Sequence, residues 1–192
     1  MREQVIDKLA IQSPRMKRMT TRFAMLLLCA SLLPTAQALA KSKTILPDAC
    51  GDDSTRFDAK EEKDNPTLTV PDDGKALVVF IETMPGERMM QSTTRFGVDG
   101  AWVGATKNTS YFTWSVPPGE HNLCASMQSA PSREKKAFTH VATLTAEPGK
   151  VYYFEAQITT ANILSLDFAQ LPEAEGKYRV KAWKFATSKL RK

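Results

Sequence analysis

The chain has 192 residues and a formal net charge of +5, from 26 Lys/Arg against 21 Asp/Glu. Six of the basic residues (Arg2, Lys8, Arg15, Lys17, Arg18, Arg22) and two of the acids (Glu3, Asp7) fall in residues 1–40, so the rest carries 20 against 19, a net of +1. That balance excludes the basic footprint that nucleic-acid binding needs on a folded domain.

The first element is an export signal. Lys17, Arg18 and Arg22 precede an uncharged apolar run at residues 23–33, which Pro34 ends, and Ala38-Leu39-Ala40 follows. Charged start, short apolar middle and A-x-A cut site are the three parts of a Sec signal, and the run falls short of the roughly 20 residues that span a bilayer core. Residues 1–18 are expected to be an upstream extension, with Met16 or Met19 as the more ordinary start, and residues 19–40 a cleavable signal peptide. The competing reading, a retained membrane anchor, fits the well-placed cut site less well. Cys29 follows Leu26-Leu27-Leu28, whereas a lipobox has a small residue directly before its Cys, so no lipid tether is expected. The implied compartment is the periplasm, with secretion as the alternative.

The mature chain from Lys41 is of ordinary size for one domain and large enough to bury a core without metal or many disulfides. Two cysteines remain, Cys50 and Cys124. In an oxidising compartment an even pair is most simply a disulfide. The alternative is a reactive thiol, but there is no C-x-x-C, and Asp52-Asp53 after Cys50 would raise a thiol pKa.

Residues 41–73, with Pro47, Pro66 and Pro71, are expected to form an extended arm with one short strand near 67–70. Residues 75–83 are apolar on both faces, as in a central, well-covered strand. Asp99-Gly100 between two alternating runs suits a type I′ hairpin, because both central residues need positive φ. In that register Val98 faces Ala101, Phe96 faces Val103, and Trp102 lies on the other face opposite Gly97. Residues 111–116 alternate, placing Phe112, Trp114 and Val116 inside, and Pro118-Gly119 makes a type II turn into a strand at 121–127. Further strands are expected at 138–146, at 151–159 after Pro148-Gly149, and at 163–168. In the 151–159 strand, Tyr152, Phe154, Ala156 and Ile158 point in and Glu155 and Gln157 out.

Short strands at regular spacing joined by Asp-Gly and Pro-Gly turns predict an all-β fold, an antiparallel β-sandwich of about seven to eight strands over residues 74–180. Pro172 followed by Glu173 and Glu175 has helix-start chemistry, whereas Gly176, Tyr178, Trp183 and Phe185 suit a last strand equally well. Residues 181–192 are expected to be a basic, solvated tail.

The order Ala49-Cys50-Gly51, Gly74-Lys-Ala-Leu-Val-Val79, Val98-Asp-Gly-Ala-Trp-Val-Gly104, Pro117-Pro-Gly-Glu-His-Asn-Leu-Cys124 and Pro148-Gly-Lys-Val-Tyr-Tyr-Phe154 resembles the bacterial family catalogued as domain of unknown function 2846. The likeness covers roughly residues 50–180, and the hairpin and Pro-Pro-Gly-Glu-His turn are also similar to PEGA-like envelope domains. It implies a β-sandwich in the cell envelope, favours the disulfide and supplies no catalytic residues.

Chemistry-bearing patterns are few. Of the two histidines, His121 beside the Pro-Gly turn suits a hydrogen bond at a strand end, and His140 shares a face with Phe138, Ala142 and Leu144. A metal site would need further ligands converging on them. Ser132-Arg-Glu-Lys135 matches a bare S-x-x-K but sits in a charged loop without the other Ser-Lys enzyme motifs. The chain has no G-x-S-x-G, Walker loop or dinucleotide fingerprint. Trp102 and Tyr111 are the candidates for a surface binding site, since exposed aromatics stack on sugars and anchor partners.

The expectation is therefore a non-catalytic envelope module with no catalytic site, metal or cofactor, binding another envelope protein or a cell-wall component. The alternatives are a small-molecule or glycan binder with a sandwich cleft, and a hydrolase with an unrecognised site.

Overall fold

A computed structural model describes residues 46–69, 71, 73–84, 91–130, 137–159 and 165–192. The signal segment with Cys29, Val70 and the Ser132–Lys135 motif lie outside the described residues. Among the described residues, ten strands and one helix follow in the order β1 (Phe57–Glu61), β2 (Ala76–Thr83), β3 (Thr93–Val98), β4 (Ala101–Lys107), β5 (Ser110–Val116), β6 (Gly119–Met127), β7 (Thr139–Ala146), β8 (Val151–Thr159), β9 (Ser165–Leu171), α1 (Glu173–Ala182) and β10 (Lys184–Leu190).

The fold is an all-β sandwich of a six-stranded sheet, β1-β10-β5-β2-β8-β9, and a four-stranded sheet, β4-β3-β6-β7. β2 is central, as its two apolar faces required. Val78 and Phe80 enter the core between the sheets, where Phe80, Phe96 and Phe112 pack with ring centroids 5.0–5.6 Å apart. Leu77, Val79 and Ile81 face the other way, into a second layer with Tyr111, Tyr153, Val180 and Trp183. Helix α1 supplies part of that cover, and its Gly176 rests on the ring of Tyr153, where a Cβ would overlap the side chain.

This second layer changes several expectations. Tyr153 and Glu155, on the outward row of β8, are buried beneath the helix side of the sheet. The C-terminal region is helix and strand in succession, and both local signals were sound. Residues 67–69 form no strand.

The arm and the tail are part of the sandwich. β1 pairs antiparallel with β10, from Phe57↔Leu190 to Glu61↔Ala186. Both strands are short and mostly polar, and they meet only across nearly the whole chain, so neither alternation nor turn chemistry announces them. The larger sheet is also mixed: β2 pairs parallel with β8, and β10 parallel with β5.

Candidate functional site

The outer face of the four-stranded sheet carries the densest grouping of unusual side chains. The β3–β4 turn has Asp99 at φ 49° and Gly100 at φ 85°, the positive pair a type I′ turn requires. Val98 pairs with Ala101 and Gly97 with Trp102, but Phe96 pairs with Gly104, so Val103 is an extra, bulged residue.

Trp102 stands over Gly97 as expected, and the segment at residues 49–55 covers it. Cys50 and Cys124 are joined by a disulfide with Cα atoms 5.2 Å apart, which pins this segment onto β6. The Trp102 indole donates through Nε1 to the Asp52 carbonyl at 2.8 Å. Arg95 is 1% exposed, with its guanidinium carbon 4.3 Å from the Trp102 ring centroid. It donates to the carbonyls of Thr55 at 2.6 Å and Asp53 at 3.3 Å and lies 3.6 Å from the Asp53 carboxylate. Burial and the neighbouring Arg56 pull its pKa down to about 10 against the pull of Asp53, which leaves it charged at neutral pH. Trp102 is therefore half-buried and committed to holding the arm.

At the turn, Asp99 accepts from the Asn122 backbone N–H at 2.8 Å, and its other oxygen lies 2.6 Å from His121 Nδ1. His121 Nε2 lies 2.8 Å from the Pro117 carbonyl. Desolvation works to lower the His121 pKa, but the hydrogen bonds to Asp99 and Pro117 outweigh it and raise the value above 6.5. For Asp99, desolvation works upward and is outweighed by the bonds from His121 and Asn122, so its pKa falls below 3.8. With both ring nitrogens engaged, His121 has no free nitrogen to serve as a catalytic base. The expected strand-end hydrogen bond is present.

Between the arm and the sheet runs an open groove of about 730 Å³, lined by Pro47, Asp48, Ala49, Asp99, Asn122 and the β7 residues Val141–Thr143. Val141 is 50% exposed and gives the groove an apolar floor. Periodicity could not reveal it, because one wall is the arm, placed by the disulfide, Trp102 and Arg95.

Tyr111 is no surface residue. It is fully buried, with its ring 5.5 Å from that of Phe185, and burial raises its pKa. Trp114, expected in the core, is 43% exposed. β10 pairs with β5 only at Ser110 and Tyr111, so the later part of β5 loses its neighbour and Trp114 stands beside an open edge. His140 is half-buried. Glu82, unremarked in the sequence, is fully buried.

Among the described residues there is no group of three or more His, Cys, Asp or Glu placed to hold a metal ion. Nor, among them, is any helix long and apolar enough to cross a membrane. No protein-family model matches the chain, and no curated protein or solved structure matches it.

Proposed function

We propose that this chain is an exported, non-catalytic β-sandwich module of the cell envelope. Its groove between residues 47–49 and β7 holds another envelope protein or a cell-wall component. The groove carries this reading: it is open, about 730 Å³ in volume, walled by a covalently fastened arm and floored by the half-exposed Val141. Asp99, which lines it, is engaged by His121 and by the Asn122 backbone N–H, and the two neighbouring basic side chains are committed to structure. His121 is closed between Asp99 and Pro117, and Arg95 is closed under the arm.

Periplasmic placement rests on the signal pattern at 19–40, with the motif likeness to the domain of unknown function 2846 family as support. A glycan or small molecule between the sheets is disfavoured, because Phe80, Phe96, Phe112 and Phe154 fill that space. The residues that line the groove include no aromatic side chain on which a sugar could stack. A hydrolase is disfavoured because His121, the histidine bonded to the groove residue Asp99, has neither ring nitrogen free.

The test is site-specific photocrosslinking in the native envelope, with the probe at Val141 and, as control, at Lys189 on β10. A discrete adduct from Val141 alone, lost on Thr143→Arg, is expected. Equal labelling from both positions, or none from Val141, overturns the groove as the binding site. Mass analysis of the exported protein should give a chain beginning at Lys41.

A further inference from the structure

Along β2 the row facing the inter-sheet core runs Val78, Phe80 and then Glu82. A carboxyl group thus takes the last place in a row otherwise buried among phenylalanines. It is 0% exposed, as are Ser92, Thr94, Thr106 and Ser110. Among the described residues, the groups facing it from each neighbouring element are uncharged. From β4, Thr106 Oγ1 donates to Glu82 Oε2 at 2.5 Å. From β3 comes Thr94, and before that strand Ser92; both hydroxyls face the carboxyl group, but neither they nor Glu82 Oε1 make a hydrogen bond of ordinary geometry. Across the ladders Glu82 meets Ser110 of β5, whose hydroxyl donates to the Lys107 carbonyl at 2.8 Å, and Ala156 of β8.

Two charged residues on the surrounding strands, among the described residues, are engaged elsewhere. Arg95 serves the arm, and Glu155 lies 3.5 Å from Arg179 of α1. Among the described residues no cation reaches Glu82. A carboxylate buried without a countercharge is relieved by taking a proton. The neutral acid also brings an O–H donor to a cluster that holds unpartnered hydroxyl oxygens.

We propose that Glu82 is a proton-binding latch: as the neutral acid it closes β2 onto β3 and β4 through Thr106, Thr94 and Ser92, and on ionising it loosens that end of the sandwich. The fold is thereby responsive to the pH of its surroundings, independently of what the groove binds. Burial pushes the Glu82 pKa up to about 7, against the lowering effect of the Ser92, Thr106 and Thr94 hydroxyls. The folded value lies above the ordinary 4.5, so the latch contributes fully below pH 4.5 and is lost as pH rises through about 7. His121, whose pKa is raised from 6.5, acts in the same direction but in a higher window.

Two measurements on the purified chain test this. The first follows the Glu82 side-chain carboxyl carbon by NMR in the wild-type protein, where a midpoint well above 4.5 is expected. The second follows amide exchange of Thr94 and Thr106 from about pH 5 to 6.5, corrected for intrinsic exchange, in wild type and Glu82→Gln. Protection should fall with pH in the wild type and stay level in the variant. A carboxyl midpoint near 4.5 overturns the proton site. A raised midpoint with level wild-type protection, or the same fall in the Gln variant, overturns the latch. If the variant does not fold, the wild-type titration and exchange still decide both points.

Discussion

The indole of Trp102 lies against Gly51, and its N–H is bonded to the next residue's carbonyl, Asp52 O, at 2.8 Å. One aromatic side chain on β4 thus holds the arm by shape and by a hydrogen bond, directly beside the cysteine that holds it covalently. A Cβ on Gly51 would come within 2.7 Å of the indole Cγ and 2.8 Å of the Trp102 backbone nitrogen.

Gly51→Ala should therefore destabilise the protein by about 1–3 kcal/mol, the usual cost of overpacking a filled site. Urea unfolding monitored by far-UV circular dichroism measures it. A shift indistinguishable from zero would mean that the arm does not seat on Trp102.

The Cys50–Cys124 bridge spans 74 residues of sequence. Replacing both cysteines by Ala should cost about 4–5 kcal/mol in the chain-entropy model, through a looser unfolded state. The check is the unfolding midpoint of the double variant against oxidised wild type, with intact-mass analysis to confirm the bridge.

The Asp99–His121 contact gives stability with two pH limits. The folded pKa of His121 is raised above 6.5, so its contribution is complete below 6.5 and is lost as pH rises through the folded value. The folded pKa of Asp99 is lowered below 3.8, so its contribution is present above 3.8 and is lost as pH falls through the folded value. The Tm difference between wild type and His121→Ala should accordingly shrink as pH rises above 6.5. A difference constant from pH 5 to 9 would show that the ring is not held as the cation.

Gly176→Ala should go against helix propensity. In an exposed helix the change stabilises by about 1 kcal/mol. Here the methyl group would enter the ring of Tyr153 and lift α1 from the sheet. A net loss of about 1–3 kcal/mol is expected from overpacking. A gain in the urea midpoint would mean that α1 does not rest on Tyr153.

Several parts of the site were legible from local residues. The Asp99-Gly100 turn, Trp102 over Gly97, the strand-end bond of His121 and the Cys50–Cys124 bridge each depend on turn chemistry, period-two alternation or an even cysteine pair. Arg95 was not legible, because a charged residue on an outward row reads as solvent-facing until another segment covers it. Tyr111 and Trp114 exchanged roles for a related reason. A second layer buried the outward Tyr111, and the departure of β10 exposed the inward Trp114.

By itself the sequence determined an all-β sandwich, its hairpin register near the turn and its central strand, because these follow from interactions among near neighbours and from side-chain periodicity, and its disulfide, because only an even pair of cysteines follows the signal segment. Tertiary structure alone decided that the arm and tail pair as β1 and β10, that β2 and β8 run parallel, and that Glu82 is sealed between the sheets. Those outcomes depend on which distant segments cover a given face, and burial is a property of the cover rather than of the residue it hides.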